Sequence, residues 1–105
     1  LIDAEALMSM RSDAVLVNVA RGAIVDESAL EDALQQGRIR GAALDVFESE
    51  PLPPSSVLWD LSNVVITPHM AGSTPRYADR IASLVGENYT HYAAGAPEQF
   101  QNRVV

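Results

Sequence analysis

The 105-residue sequence predicts an α/β fold, a partial parallel sheet flanked by helices with a long helix toward the C-terminus. Two patterns carry that prediction. Short apolar runs of strand length alternate with segments of helical periodicity, the order that builds parallel pairing through right-handed crossovers. In addition, Arg21, Glu50 and His69, the side chains best suited to acid–base chemistry on a carbonyl, each stand just beyond one of those runs. Ligands of parallel α/β sheets gather outside the carboxyl ends of the strands.

Residues 3 to 11 read as the first helix, with Asp3 as N-cap and Ile2 and Leu7 spaced as a hydrophobic staple. AVLVNV, residues 14 to 19, is nearly continuous in apolar character, as expected of a strand covered on both faces. Asp26 caps a second helix reaching about Gln36. Its staple pair is Val25 and Leu30, its apolar stripe Leu30, Ala33 and Leu34, and its left-handed C-cap Gly37.

GAALDVF, residues 41 to 47, reads as the next strand and NVVIT, residues 63 to 67, as a third. Between them ESEPLPPSSVLWDL can continue neither element and is expected as a surface loop anchored by Leu58 and Trp59. Thr74 and Pro75 start the long helix, with Tyr77, Ile81, Leu84, Val85 and Tyr89 along one side and Gly95 near its end. That side is more apolar than three strands require, so part of it is expected to pack on another lobe or subunit. Residues 1–95 form the expected body and 96–105 a tail without clear period.

Composition narrows the function. The chain is 48% hydrophobic, enough for one modest core but short for an enzyme needing two lobes around a cleft, and it opens directly at a helix start. A fragment is therefore expected, with further sequence upstream. Fourteen acidic against seven basic residues leave a charge of -7, which disfavours nucleic acid or an anionic membrane as partner. All the basic residues are arginine, a pattern that fits a salt-adapted or GC-rich source. With no cysteine there is no disulfide framework or thiolate metal site, and a cytoplasmic location is expected. No run approaches a membrane span of about 20 apolar residues. Two histidines without suitably spaced carboxylates predict no metal site.

Three motifs follow in order: Asn-x-x-Arg-Gly at Asn18 to Gly22, Ala-Leu-Asp-Val-Phe at 43 to 47 with Glu50-Pro51 beyond it, and Thr-Pro-His at 67 to 69. Together they resemble the D-isomer-specific 2-hydroxyacid dehydrogenases, in the C-terminal half of their Rossmann-type NAD-binding domain, over all but the last few residues. The resemblance implies hydride transfer between NAD or NADP and a small 2-keto or 2-hydroxy acid. It implies that Arg21 binds the substrate carboxylate and polarises its carbonyl, that His69 donates or accepts the proton, and that Glu50 holds the His69 ring and favours its protonated form. Asp45 would contact the nicotinamide side of the cofactor, and the backbone at Ala20, with Arg21 and His69, would lie beside the ring. A homodimer is implied for the complete protein.

Each residue has a plainer reading as well. Arg21 could be solvated or in a structural ion pair, Glu50 solvated in its acidic loop, and Asp45 an N-cap or a strand-end solvation site. The Gly-x-Gly-x-x-Gly loop and the residue that selects NAD or NADP are not in the sequence, so the piece alone is expected to be inactive with weak cofactor binding. Formate dehydrogenases carry a glutamine in place of Glu50 and are disfavoured. The His-Met-Ala-Gly-Ser-Thr wording after Pro68 is closer to the glyoxylate, hydroxypyruvate and phosphoglycerate enzymes than to lactate enzymes. A nicotinamide-sensing corepressor of the same fold is the alternative from another class.

Overall fold

A computed structural model of the chain describes residues 1–103; the last two residues of the expected tail lie outside the described residues. Two units divide the chain, Leu1–Ala71 and Gly72–Val105.

The first unit is a three-stranded parallel sheet in the order β1 (Val15–Asn18), β2 (Gly41–Leu44), β3 (Val64–Ile66). Register places Asn18, Leu44 and Ile66 side by side, so the three strands end on one edge. Helices α1 (Ala4–Ser9) and α2 (Glu27–Gln35) pack against each other. Both start as the sequence predicts. The Asp3 carboxylate accepts the Ala6 N–H and the Asp26 carboxylate the Ala29 N–H, satisfying amides that the helix itself leaves unpaired.

The two staples are also neighbours. Ile2 forms a parallel bridge with Val25, donating its N–H to the Ile24 carbonyl and accepting the Asp26 N–H. Leu7 and Leu30 thereby enter one core with Leu34, Ile39, Leu44 and Leu58, all but sealed from solvent. Burying a leucine of this kind contributes roughly 1.5–3 kcal/mol. Gly37 ends α2 in the left-handed region at φ 63°, where a side chain would be strained.

β1 differs from expectation. Leu16 and Asn18 are buried, but Val15 and Val17 are exposed, so one face is covered and the other open. A continuous apolar run states that both faces avoid water without stating what covers each. In the proline-rich loop Leu58 is the anchor, 1% exposed, within a short 3₁₀ turn at Val57–Asp60. Trp59 is half-exposed, and its indole N–H donates to the Pro53 carbonyl, tying the loop to itself rather than to the core.

In the second unit α3 spans Tyr77–Ala93 and ends before Gly95, which is left-handed at φ 68°. It starts later than expected. Thr74 supplies only its backbone carbonyl, to the Tyr77 N–H, and Arg76 occupies the N-cap without a side-chain bond. Tyr77, Ile81, Val85 and Tyr89 are exposed and Leu84 is half-buried, so most of the apolar side of α3 is open. Pro97–Gln99 add a 3₁₀ turn packed on α3 within the expected tail. Among the described residues no helix is long and apolar enough to cross a membrane.

Candidate functional site

Because β1, β2 and β3 are parallel and in register, the segments leaving them emerge on one edge, and each carries one of the three residues singled out by sequence. The first is organised by Asn18. Buried at the end of β1, its side-chain amide donates to the Arg21 carbonyl at 2.9 Å and accepts the Ala20 N–H at 3.2 Å. That pair of bonds clamps residues 19 to 21 into a tight turn. The Arg21 guanidinium is exposed and donates to the Ala20 carbonyl at 2.6 Å.

Gly22 lets this turn approach the next segment. A Cβ built there would stand 1.9 Å from the Phe47 carbonyl oxygen, so a hydrogen is all the space admits. Glu27, in the first turn of α2, reinforces the contact by accepting the Glu48 N–H at 3.0 Å. The Arg21 turn and the Glu50 loop are thus fastened at two points.

Glu50 uses both carboxylate oxygens. Oε1 accepts the Phe47 N–H at 3.0 Å, and Oε2 lies 2.7 Å from His69 Nδ1. The bond to His69 first, then that to the Phe47 amide, holds the Glu50 carboxyl below the usual glutamate range; the charges of His69 and Arg21 add to the effect. His69 Nε2 has no hydrogen-bond partner among the described residues, and the His69 side chain is 48% exposed. One ring nitrogen is held by carboxylate while the other faces outward, the arrangement a proton-exchanging histidine needs. The pair borders a cavity of about 400 Å³ whose other walls include Phe47, Leu52, Trp59 and Ile66.

Asp45 sits directly after β2 and is 3% exposed. Its Oδ1 accepts the Thr67 hydroxyl at 2.5 Å and the Met70 N–H at 2.9 Å, while Oδ2 accepts the Ala71 N–H at 2.8 Å. The Thr67 bond is the largest of the influences that hold this carboxyl below the usual aspartate range; burial opposes it, and the Ala71 and Met70 amides assist it. Between those partners His69 adopts φ 50°, in the left-handed region. A non-glycine residue there costs about 1–2 kcal/mol and persists where the surroundings impose it.

The sequence points to Arg21, Glu50, His69, Asp45 and Ala20 but not to the part played by Asn18, Gly22 and Thr67, which shape the turns around them. Asn18 and Gly22 lay inside the first motif and Thr67 inside the third; only the partners they meet across the sheet edge reveal what they do. Among the described residues no group of three His, Cys, Asp or Glu side chains could hold a metal ion.

Residues 1–71 match the model of the D-isomer specific 2-hydroxyacid dehydrogenase NAD binding domain. The chain belongs to the D-isomer specific 2-hydroxyacid dehydrogenase family. Among its relatives in that family, a glyoxylate reductase of Korarchaeum cryptofilum is 45% identical over 95 residues, covering 90% of this chain and 29% of that protein. A D-3-phosphoglycerate dehydrogenase of Mycobacterium leprae is 46% identical over 95 residues, 90% of this chain and 18% of that protein. A D-isomer specific 2-hydroxyacid dehydrogenase of Xanthobacter autotrophicus Py2, solved with NADPH and MES, superposes with a TM-score of 0.81 at 46% identity, covering 95% of this chain and 40% of that one. The chain therefore spans less than half the length of each of these family members.

Proposed function

We propose that this chain supplies the catalytic edge of an NAD(P)-dependent oxidoreductase that interconverts small 2-keto acids and D-2-hydroxy acids. The observation that carries the reading is the His69 ring, held at Nδ1 by Glu50 and without a partner at Nε2 among the described residues. His69 Nε2 gives a proton to the carbonyl oxygen during reduction and takes it back during oxidation. Glu50 keeps the ring oriented and offsets the charge it carries when protonated. The Arg21 guanidinium, a planar fork of donors, pairs with the substrate carboxylate and draws electron density from the adjacent carbonyl.

A bound NAD(P)H would supply the hydride for reduction, and its oxidised form would take it back in oxidation. Residues suited to its nicotinamide end are present. Ala20 is exposed beside Arg21, and Asp45 Oδ2 accepts one hydrogen bond where a carboxylate oxygen has room for about two. The Gly-rich phosphate loop is not in this sequence, so the 105-residue chain alone is inactive and binds the dinucleotide weakly. NAD or NADP is the cofactor; the Xanthobacter relative with NADPH and a Sinorhizobium meliloti glyoxylate/hydroxypyruvate reductase with NADP support this. Glyoxylate, hydroxypyruvate and phosphoglycerate-type acids are the favoured substrates, in keeping with the names of the relatives. The exposed apolar side of α3 supports a homodimeric complete enzyme, in which a neighbouring lobe or subunit covers it.

The test is oxidation of NADH and NADPH by the polypeptide extended to the length of its relatives, with glyoxylate, hydroxypyruvate, pyruvate and larger 2-keto acids. Turnover that collapses in Arg21→Ala and His69→Ala is expected. No turnover with any of these acids refutes the reading.

A further inference from the structure

We propose that Asp45 is a positioning residue for His69, holding the turn that aims the imidazole at Glu50 whether or not a cofactor is bound. This rests on the dehydrogenase reading above, in which His69 exchanges the proton. Asp45 takes the side chain two residues before His69 and the backbone N–H groups one and two residues after it, so three bonds from one buried group bracket the histidine. Asp45 makes no hydrogen bond to His69 itself; it acts on the backbone that carries the ring.

That backbone needs holding. His69 lies at φ 50°, a left-handed conformation uncommon for residues other than glycine. The Met70 and Ala71 amides converge on Asp45 only when the chain reverses at His69, so the carboxylate and the left-handed turn require each other. Rotation of the turn to an unstrained conformation would swing Nδ1 off the Glu50 oxygen that lies 2.7 Å away. Charge serves the purpose, since an ionised carboxylate accepts bonds from a hydroxyl and two amides at once, whereas an amide in its place would turn an N–H₂ toward at least one of those donors. Asp45 stands at the end of the central strand and is rigid for the same reason that the core is, so the reference point for His69 is the sheet itself.

The experiment compares Asp45→Asn, Thr67→Val and Thr67→Ser with the unaltered chain and with Glu50→Gln, free of cofactor. The ring ¹⁵N shifts of His69 report whether Nδ1 carries a proton held by a carboxylate, and His91, on α3, serves as internal reference. Asp45→Asn and Thr67→Val are expected to move the His69 shifts toward those of Glu50→Gln, and Thr67→Ser, which keeps the hydroxyl, to leave them in place. In the enzyme of full length, Asp45→Asn is expected to lower kcat about 10²-fold while the KM for the keto acid stays within about threefold, as displacement of a reacting group does.

Unchanged His69 shifts in both Asp45→Asn and Thr67→Val overturn the proposal and leave Asp45 as a cofactor contact only. If Asp45→Asn does not fold, Thr67→Val, which removes one bond of the three, decides the matter alone. Failure of the full-length wild type to reduce any 2-keto acid sinks the dehydrogenase reading instead, and the cofactor-free ring measurement still tells whether Asp45 places His69.

Discussion

Glu50 and His69 are joined through one carboxylate oxygen, 2.7 Å from Nδ1, while the other oxygen is tied to the backbone N–H of Phe47 at 3.0 Å. The second bond fixes the carboxylate to the backbone. A glutamate held only by histidine would follow the ring, whereas one fixed to the Phe47 backbone makes the ring follow it. Glu50→Gln keeps the shape but loses the charge, and in the full-length enzyme it should lower kcat about tenfold or more with little change in the KM for the keto acid. Steady-state kinetics on the purified variant check this, and an unchanged kcat would remove Glu50 from the mechanism.

Acid should loosen the same site. Glu50 and Asp45 both titrate below their ordinary ranges in the folded chain, Glu50 chiefly through its bond to His69 and Asp45 chiefly through the Thr67 hydroxyl. In the unfolded chain they return to about pH 4. Between that value and their lower folded values the unfolded state binds more protons, so their contribution is present above about pH 4 and is lost as pH falls through the folded pKa values. Thermal melts taken from about pH 6 downward should show a steeper acid loss for the unaltered chain than for Glu50→Gln combined with Asp45→Asn. Parallel curves would contradict the assignment.

Much of this was legible in the sequence, because the signals were local. Asp3 and Asp26 announce their helices by chemistry reaching only three residues ahead, and Ile2 with Leu7 and Val25 with Leu30 are spaced by the helix itself. The strand runs were legible too, though not that Val15 and Val17 lie open, since coverage depends on which elements meet the sheet. The start of α3 misled for a related reason. Thr74-Pro75 has the wording of a helix start, yet Thr74 contributes a carbonyl and the helix waits until Tyr77. In the site, motif order pointed to Arg21, Glu50 and His69, and the structure brings Glu50 and His69 into contact. The partners of Asp45 lie 22 to 26 residues away, and that distance hides the brace around His69 from any reading of neighbours along the chain.

Gly22 provides a separate check on how the loops are fastened. Gly22→Ala would force a methyl group onto the Phe47 carbonyl and should destabilise the chain by about 1–3 kcal/mol, or more if the Phe47 backbone cannot yield. Gly72→Ala meets nothing within 4 Å and should stay within about 0.5 kcal/mol of the unaltered chain. Urea titrations of the two variants decide it. Equal midpoints would mean that the Arg21 turn does not press on the Glu50 loop.

The helix starts and the core beneath them set a scale for comparison. Asp26→Ala removes the acceptor of the Ala29 N–H and should cost about 1 kcal/mol. Leu30→Ala, four residues on and 1% exposed, should cost about 2–5 kcal/mol by leaving a cavity in the shared core. The order of the two losses in a denaturant series is the observable, and a larger loss at Asp26 would contradict the packing described.

The proposed role of His69 is to exchange the proton with a 2-keto acid held by Arg21. Its most direct test is the rate of NADPH and NADH oxidation with glyoxylate by the full-length enzyme, measured side by side for the unaltered protein and His69→Ala at equal folded concentration. Turnover is expected in the first and a fall of about 10²–10⁴-fold in the second. A His69→Ala enzyme that reduces glyoxylate at the unaltered rate would contradict it.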